Sequence, residues 1–146
     1  MSATTPFERS IILLVEDEQN DVLLLQIAFT KVGLKWPIFR VANGLEAQAY
    51  LNGDPPYQDR MRHPLPALVL LDIKMPLMDG FEVLRWIRHQ TAFASLPVVM
   101  LTGSAHTNDT NTAYQLGANL FLAKPMDFKI KPESCRSLER LIIENS

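Results

Sequence analysis

Short aliphatic runs alternate along the chain with longer segments in which apolar residues recur every three or four positions. The runs are bounded by polar residues and are typical of strands buried on both faces of a sheet. They are Ile11 to Val15, Ile38 to Ala42, Leu68 to Leu71, Val98 to Leu101 and Asn119 to Leu122. Because a helical segment follows each strand, we predict a doubly wound α/β fold: a five-stranded parallel sheet covered by helices on both faces.

The helical segments carry their own start and stop signals. The first helix has Asn20 or Asp21 as its candidate N-cap and ends at Gly33. The remaining helices are predicted over Leu45 to Leu51, Asp79 to His89, Asn108 to Leu116 and Pro132 to Ile143. The stretch from Asn52 to Pro66 contains four prolines, one glycine and many charges, which predicts a long exposed loop.

Length and charge exclude several classes of protein. The 146 residues fit one domain, which we assign to residues 10–146 after a flexible segment over residues 1–9. A formal net charge of -2 gives no overall basic field for nucleic acid or an acidic membrane surface. Cys135 alone cannot form an internal disulfide, and no apolar run approaches the roughly 18 residues that span a bilayer. We therefore expect a soluble, cytoplasmic protein that binds neither nucleic acid nor membranes directly.

Polar side chains follow four of the five predicted strands. Glu16 and Asp17 follow the first strand, and Asp72 follows the third. Thr102 follows the fourth strand and Lys124 the fifth. Functional groups collect where the carboxyl ends of parallel strands open into a crevice, so we expect these side chains to meet there. Clustered carboxylates repel one another unless a cation is present, and Mg²⁺ is a cation that binds carboxylate and phosphate oxygens.

This set of side chains suits phosphoryl transfer, which depends mainly on positioning and charge neutralisation. Lys124 would supply a positive charge and Thr102 a hydroxyl. No Ser, Cys or His follows a strand beside a plausible base, so Asp72 is the candidate nucleophile, of the kind that forms an aspartyl phosphate. Each acid taken alone could equally be an ordinary helix N-terminal residue, but the ordered set favours a site.

Motifs spread over residues 9 to 144 resemble the receiver domain of two-component response regulators. In chain order these motifs are ILLVEDE, ALVLLDIKMPLMDGFEVLRWIR, PVVMLTG and LFLAKP. The resemblance implies a flavodoxin-like strand order, 2-1-3-4-5. It also implies a phosphorylation-dependent signalling switch rather than an enzyme, beyond autophosphorylation from small donors and autodephosphorylation. The partners implied are a sensor histidine kinase or histidine phosphotransfer protein and a downstream protein target.

The resemblance assigns a role to each candidate residue. Asp72 is the phosphoacceptor, and Thr102 is the switch hydroxyl. Lys124 contacts the phosphoryl group, and its bond to Pro125 is expected to be cis. Phe121 is the switch aromatic. The residues implied to hold Mg²⁺ are Glu16, Asp17, Asp72 and, through its backbone carbonyl, Lys74.

Several positions depart from the family pattern or add to it. Phe121 stands where tyrosine is frequent, so its inward state should depend on packing alone. Lys74 and Ser104 occupy the positions that modulate dephosphorylation in the family. Gly80 is expected to adopt a positive φ in a tight turn. The long loop from Asn52 to Pro66 resembles stand-alone regulators that accompany phytochrome-type kinases.

Other functions are also compatible with the sequence. A phosphatase of the haloacid-dehalogenase type also uses an aspartyl phosphate, but it usually has a second Asp where this chain has Lys74. A receiver that acts without phosphorylation and a flavodoxin-like electron carrier share the predicted architecture.

Several side chains outside the site have simpler expected roles. We expect Arg85, Arg88 and His89 to form a solvated basic helix face, and His63 and His106 to lie at the surface. Leu138, Leu141 and Ile142 of the last helix could be core alone or could extend a homodimer face.

Overall fold

In a computed structural model that describes residues 11–103, 107–124 and 131–144, the chain forms a five-stranded, fully parallel sheet. The strands are β1 (Ile11–Val15), β2 (Ile38–Val41), β3 (Pro66–Asp72), β4 (Val98–Thr102) and β5 (Leu120–Ala123). The helices are α1 (Gln19–Lys31), α2 (Gly44–Asn52), α3 (Gly80–His89), α4 (Thr107–Gln115) and α5 (Pro132–Glu144), with a short 3₁₀ turn at Thr91–Phe93. The strand order is β2-β1-β3-β4-β5, which confirms the predicted fold and order.

The sheet is buried on both faces because successive residues of each central strand face opposite helical layers. Leu13 and Val15 of β1 pack with α2 and α3, whereas Ile12 and Leu14 pack with α1 and α5. Each face therefore has its own apolar core, and the continuous aliphatic runs are the sequence signature of this arrangement. Within the described residues, no helix is long and apolar enough to cross a membrane.

Helix α1 begins earlier than predicted. Its N-cap is Glu18, whose carboxylate accepts a hydrogen bond from the backbone N–H of Asn20 at 3.4 Å. The prediction of Asn20 or Asp21 as the N-cap is therefore wrong. Asp21 instead lies within the first helical turn, and its carboxylate bonds to a distant lysine described below.

Gly80 is required by close packing rather than by its backbone angle. It is the first residue of α3, and the glycines that have positive φ among the described residues are Gly33, Gly53 and Gly117. The expected positive φ at Gly80 is therefore wrong. A Cβ at Gly80 would overlap the backbone carbonyl oxygen of Asp72, so glycine allows α3 to start directly against the end of β3.

The predicted long loop between α2 and β3 is confirmed, and hydrogen bonds hold it against the end of α2. Arg60 donates hydrogen bonds to the carbonyl oxygens of Tyr50 at 2.8 Å, Leu51 at 2.9 Å and His63 at 3.2 Å. The Tyr50 ring packs at a tilt against Tyr57 and edge-to-face against His63, and its hydroxyl donates to the carbonyl of Pro64 at 2.8 Å. His63 is half-buried in this cluster, so it lies at the surface as predicted but is packed against neighbouring rings.

Arg88 does not belong to a solvated basic face. Its guanidinium donates to the carbonyl oxygens of Leu96 at 2.7 Å and Gly117 at 2.9 Å, and to the Asn119 side-chain oxygen at 2.9 Å. Burial lowers the pKa of Arg88. Arg88 therefore ties α3 to the segments that precede β4 and β5, whereas Arg85 and His89 are exposed as predicted.

Helix α5 contributes core residues rather than an open apolar stripe. Leu138 and Ile142 are fully buried against the second core, and Leu141 is half-buried beside them. Cys135 is also buried, and burial raises the pKa of its thiol to about 11. The core interpretation of Leu138 and Ile142 is confirmed.

Candidate functional site

The polar residues predicted to converge do so at the carboxyl ends of the strands. Glu16 follows β1, Asp72 and Thr102 end β3 and β4, and Lys124 follows β5. Glu16 is fully buried, Asp72 and Thr102 are each 4% exposed, and Asp17 is exposed. The polar groups that follow the aliphatic strands thus lie together at the carboxyl-terminal edge of the sheet. An open cleft lies next to them.

Three carboxylates lie close enough to share a cation. One oxygen from each of Glu16, Asp17 and Asp72 lies within 4.8 Å of the others. Burial, together with the negative charge of Asp72, raises the pKa of Glu16 to about 7. Burial also raises the pKa of Asp72. Oxygen ligands of this kind and charge fit a hard divalent cation such as Mg²⁺, which would relieve the repulsion.

Lys124 is the positive charge at the centre of the site. Its Nζ lies 2.6 Å from a Glu16 carboxylate oxygen, 2.8 Å from Asp21 and 3.2 Å from Asp72. Burial alone would lower the pKa of Lys124, but the hydrogen bonds to Asp21 and Glu16 and the charge of Asp72 outweigh it and raise the pKa. Lys124 therefore stays charged and links β1, α1 and β3 in one ion-pair network.

Two charged residues of this edge are absent from the sequence-based site. The sequence marks Asp21 only as a candidate helix cap, although it lies four residues after Asp17, close enough along the chain to share the same edge. Arg40 of β2 donates to the backbone carbonyls of Glu16 at 2.8 Å and Asp17 at 3.1 Å. No motif marked Arg40, since it interrupts an otherwise apolar strand as a single polar residue.

An open cleft of about 520 Å³ lies beside the acidic group. Its lining residues are Asp17, Ile73, Lys74, Met75, Pro76, Asp79 and Phe81. Asp79 has a structural role here, because it is the N-cap of α3 and forms a reciprocal capping box with Glu82. Lys74, whose carbonyl was predicted to join the metal ligands, is exposed at the cleft.

The predicted switch residues lie on the last two strands of the sheet. Thr102 is buried at the end of β4, and Phe121 of β5 is half-buried against the first core. Phe121 is in register with Met100 of β4. Ser104, Pro125 and His106 lie outside the described residues, so the expected cis bond between Lys124 and Pro125 stays a prediction.

Comparison with known proteins gives the family of this chain. The family model for the response regulator receiver domain matches residues 12–130. The chain is 36% identical over 129 residues to the probable methanogenesis regulatory protein FilR2 of Methanothrix harundinacea, a match that covers 88% of this chain and 79% of FilR2. It is 32% identical over 134 residues to response regulator Rcp1 of Synechocystis, covering 92% of this chain and 89% of Rcp1. The chain therefore belongs to the receiver domain family of two-component response regulators.

Solved structures support the same conclusion. Response regulator RPA3017, described as acting in red light signalling of R. palustris, has a TM-score of 0.83 at 31% identity and covers 94% of this chain and 96% of its own. The Mn²⁺-bound form of Rcp1 has a TM-score of 0.71 at 31% identity, covering 92% of this chain and 88% of its own. The bacteriophytochrome response regulator AtBRR has a TM-score of 0.74 at 35% identity, covering 93% of this chain and 91% of its own, which confirms the predicted likeness to regulators of phytochrome-type kinases.

Proposed function

We propose that this chain is a phosphorylation-dependent switch of a phosphorelay, in which Asp72 accepts a phosphoryl group from a phosphohistidine of a partner kinase or phosphotransfer protein. An oxygen of the Asp72 carboxylate attacks phosphorus, and the bond between phosphorus and the histidine nitrogen breaks. The electron pair of that bond leaves with the imidazole, and the product is an aspartyl phosphate. The family of the chain supports this role, since receiver domains are the phosphoaccepting partners in two-component signalling.

The observation that carries the proposal is the position of Asp72 among its charged neighbours. Its carboxylate lies at the end of a buried strand, 3.2 Å from the Lys124 ammonium and next to two further carboxylates. Phosphoryl transfer places extra negative charge on equatorial oxygens, and a fixed ammonium at this distance can take up that charge. The buried surroundings of Asp72 also limit the access of water to the acyl phosphate.

The donor set suits Mg²⁺ as the companion ion. Glu16, Asp17, Asp72 and the backbone carbonyl of Lys74 would hold it. The proximity of the three carboxylates supports this set, and the Mn²⁺-bound form of the relative Rcp1 supports a divalent ion. When bound, the ion neutralises the carboxylates and the incoming phosphoryl group. Arg40 fixes the turn that carries the acidic pair by holding both of its backbone carbonyls.

The signal would be passed on by repacking at the α4, β5 and α5 side of the sheet. Thr102 would move toward the phosphoryl group, and Phe121 would follow inward. Phe121 has no hydroxyl, so its inward state depends on apolar packing beside Met100. A two-state change of this kind needs only a modest difference in interaction energy between the states to alter the surface presented to a protein partner.

Labelling with a small phosphodonor tests the proposal. Incubation with phosphoramidate and Mg²⁺ should add one phosphoryl group to the intact mass, and chelation of the metal should suppress the addition. Asp72→Asn should abolish labelling, whereas the control Asp59→Asn removes an exposed carboxylate and should leave it unchanged. Undiminished labelling of Asp72→Asn would refute the proposed acceptor.

The same samples separate a switch from a phosphatase. A switch is labelled once per chain and releases phosphate slowly, at a rate independent of added phosphomonoester. Sustained turnover of a small phosphomonoester would instead favour the haloacid-dehalogenase alternative.

A further inference from the structure

Asp21 contacts the site from an element that carries no assigned functional residue. It lies in the first turn of α1, and its carboxylate is 2.8 Å from the Lys124 ammonium. Its helix is fixed by the buried Val22 and Leu25, so the carboxylate is presented from a rigid base. Its side chain remains 30% exposed, whereas that of Lys124 is 12% exposed.

The contacts of Lys124 divide into two kinds. Glu16 and Asp72 belong to the group of carboxylates whose oxygens lie within 4.8 Å of one another, and Asp21 does not. Glu16 and Asp72 would face a metal ion and a phosphoryl group, which compete with the ammonium for the same oxygens. Asp21 is the partner that Lys124 can keep throughout, because nothing in the phosphoryl reaction requires its carboxylate.

We propose that Asp21 is a positioning residue that holds the Lys124 ammonium at the phosphoryl site and limits its competition with the metal ion for Glu16 and Asp72. The inference rests on the proposed function. An ammonium has three N–H donors. With one donor committed to Asp21, Lys124 stays anchored at the α1 side while its other donors change from carboxylates to phosphoryl oxygens.

Loss of the Asp21 charge should weaken Mg²⁺ binding through two effects that act in the same direction. The site loses a nearby negative charge, and Lys124 is left to pair more fully with Glu16 and Asp72. Removal of partners that orient ligands typically costs about ten-fold or more in metal affinity or rate. We therefore expect about a ten-fold loss of Mg²⁺ affinity in Asp21→Asn, in which the amide keeps the shape of the carboxylate but not its charge.

The first measurement is calorimetric titration with Mg²⁺ alone, without a phosphodonor. The matched control is Glu18→Gln, which removes one carboxylate from the same end of α1. The Glu18 side chain caps the helix through the Asn20 N–H. We expect weakened binding in Asp21→Asn, near wild-type binding in Glu18→Gln and recovery in Asp21→Glu. An equal loss in both neutral variants would overturn the proposal, because a general field at the helix end would then explain it.

The second measurement is the phosphorylation rate at saturating Mg²⁺ as the phosphoramidate concentration is varied. A poorly held Lys124 should lower the maximal rate about ten-fold in Asp21→Asn, with partial recovery in Asp21→Glu. Circular dichroism and the thermal midpoint show whether each variant is folded. Wild-type rates and wild-type Mg²⁺ affinity in a folded Asp21→Asn would refute the inference.

The Asp72→Asn variant keeps the two proposals apart. Labelling that persists without the Asp72 carboxylate contradicts the proposed function itself. Labelling that requires Asp72 but is indifferent to Asp21 contradicts only the positioning role.

Discussion

Two half-buried cations lie at opposite ends of the sheet, and they are held by different kinds of partner. Arg88 lies near the segments that lead into β4 and β5 and donates to neutral oxygens. Lys124 lies where the strands end and is surrounded by carboxylates. The pKa shifts follow the partners: burial lowers the pKa of Arg88, whereas the carboxylates overcome burial and raise that of Lys124.

The difference separates a structural contact from one that can be exchanged. Because carbonyl oxygens do not titrate and accept no phosphoryl group, we expect the Arg88 contacts to be the same with and without Mg²⁺. Carboxylates can take up a proton, a metal ion or a phosphoryl group, so the Lys124 contacts can be redistributed. Arg88 thus holds the segments before β4 and β5 in place. At the carboxyl ends of the strands, the ion pairs of Lys124 can change partners.

Removal of the Arg88 guanidinium should have the largest effect on stability. Arg88→Met leaves the carbonyl oxygens of Leu96 and Gly117 without their donor, and we expect a loss of about 3 kcal/mol in the free energy of unfolding. The loss should be the same with and without Mg²⁺ in urea denaturation. Arg85→Met, on the exposed face of the same helix, should change stability little. A rescue of Arg88→Met by Mg²⁺ would contradict the distinction between the two ends.

Removal of the Lys124 ammonium should destabilise the protein to an extent that depends on pH and on Mg²⁺. Lys124→Met leaves Glu16 and Asp72 as uncompensated carboxylates, and we expect a loss of about 2 kcal/mol near neutral pH without metal. This loss is smaller than the usual cost of breaking a buried ion pair. Because the pKa of Glu16 is already raised, Glu16 can take up a proton and lose its uncompensated charge. Mg²⁺ or mild acid should therefore restore part of the stability. If neither Mg²⁺ nor mild acid restored stability, the contacts of Lys124 would be purely structural, like those of Arg88.

The wild-type protein should show a smaller, pH-dependent response to Mg²⁺. The pKa of Glu16 is raised from 4.5 to about 7 in the folded state, so the folded protein holds a proton that the unfolded chain has released in this window. Without metal, stability should fall as pH rises from about 4.5 to about 7. Mg²⁺ must displace that proton and therefore binds more weakly where Glu16 is protonated. The rise in thermal midpoint caused by Mg²⁺ should be about 3 °C larger above pH 7 than between pH 4.5 and 7.

Differential scanning fluorimetry with and without Mg²⁺ measures this response. In Glu16→Gln the dependence on pH should weaken, and what remains should come from Asp72, whose pKa burial also raises. A metal effect that is constant across the window would show that Glu16 does not change its protonation when the ion binds.

The sequence was sufficient for the features that depend on strand position. Aliphatic runs located all five strands, and the residue after each run located Glu16, Asp72, Thr102 and Lys124 at one edge. These inferences succeed because the carboxyl ends of parallel strands meet whatever the details of the loops.

Features that depend on the direction of a single side chain were not predictable. Arg88 sits on a helix with an exposed-looking basic face, and only the folded chain brings Leu96 and Gly117 to it. Asp21 lies in the first turn of α1, where it contacts Lys124, because α1 begins at Gln19, two or three residues earlier than the cap signals implied. The need for Gly80 likewise arises from the approach of α3 to β3 and not from a local turn.

The role of Asp72 as phosphoacceptor can be tested by mapping the phosphoryl group to one carboxylate. The labelled protein can be reduced with borohydride, which converts an aspartyl phosphate to homoserine, and then digested and sequenced by mass spectrometry. We expect homoserine at position 72 alone, dependent on Mg²⁺ and suppressed in Lys124→Met. Homoserine at Asp17, or at no carboxylate while the label is retained elsewhere, would contradict it.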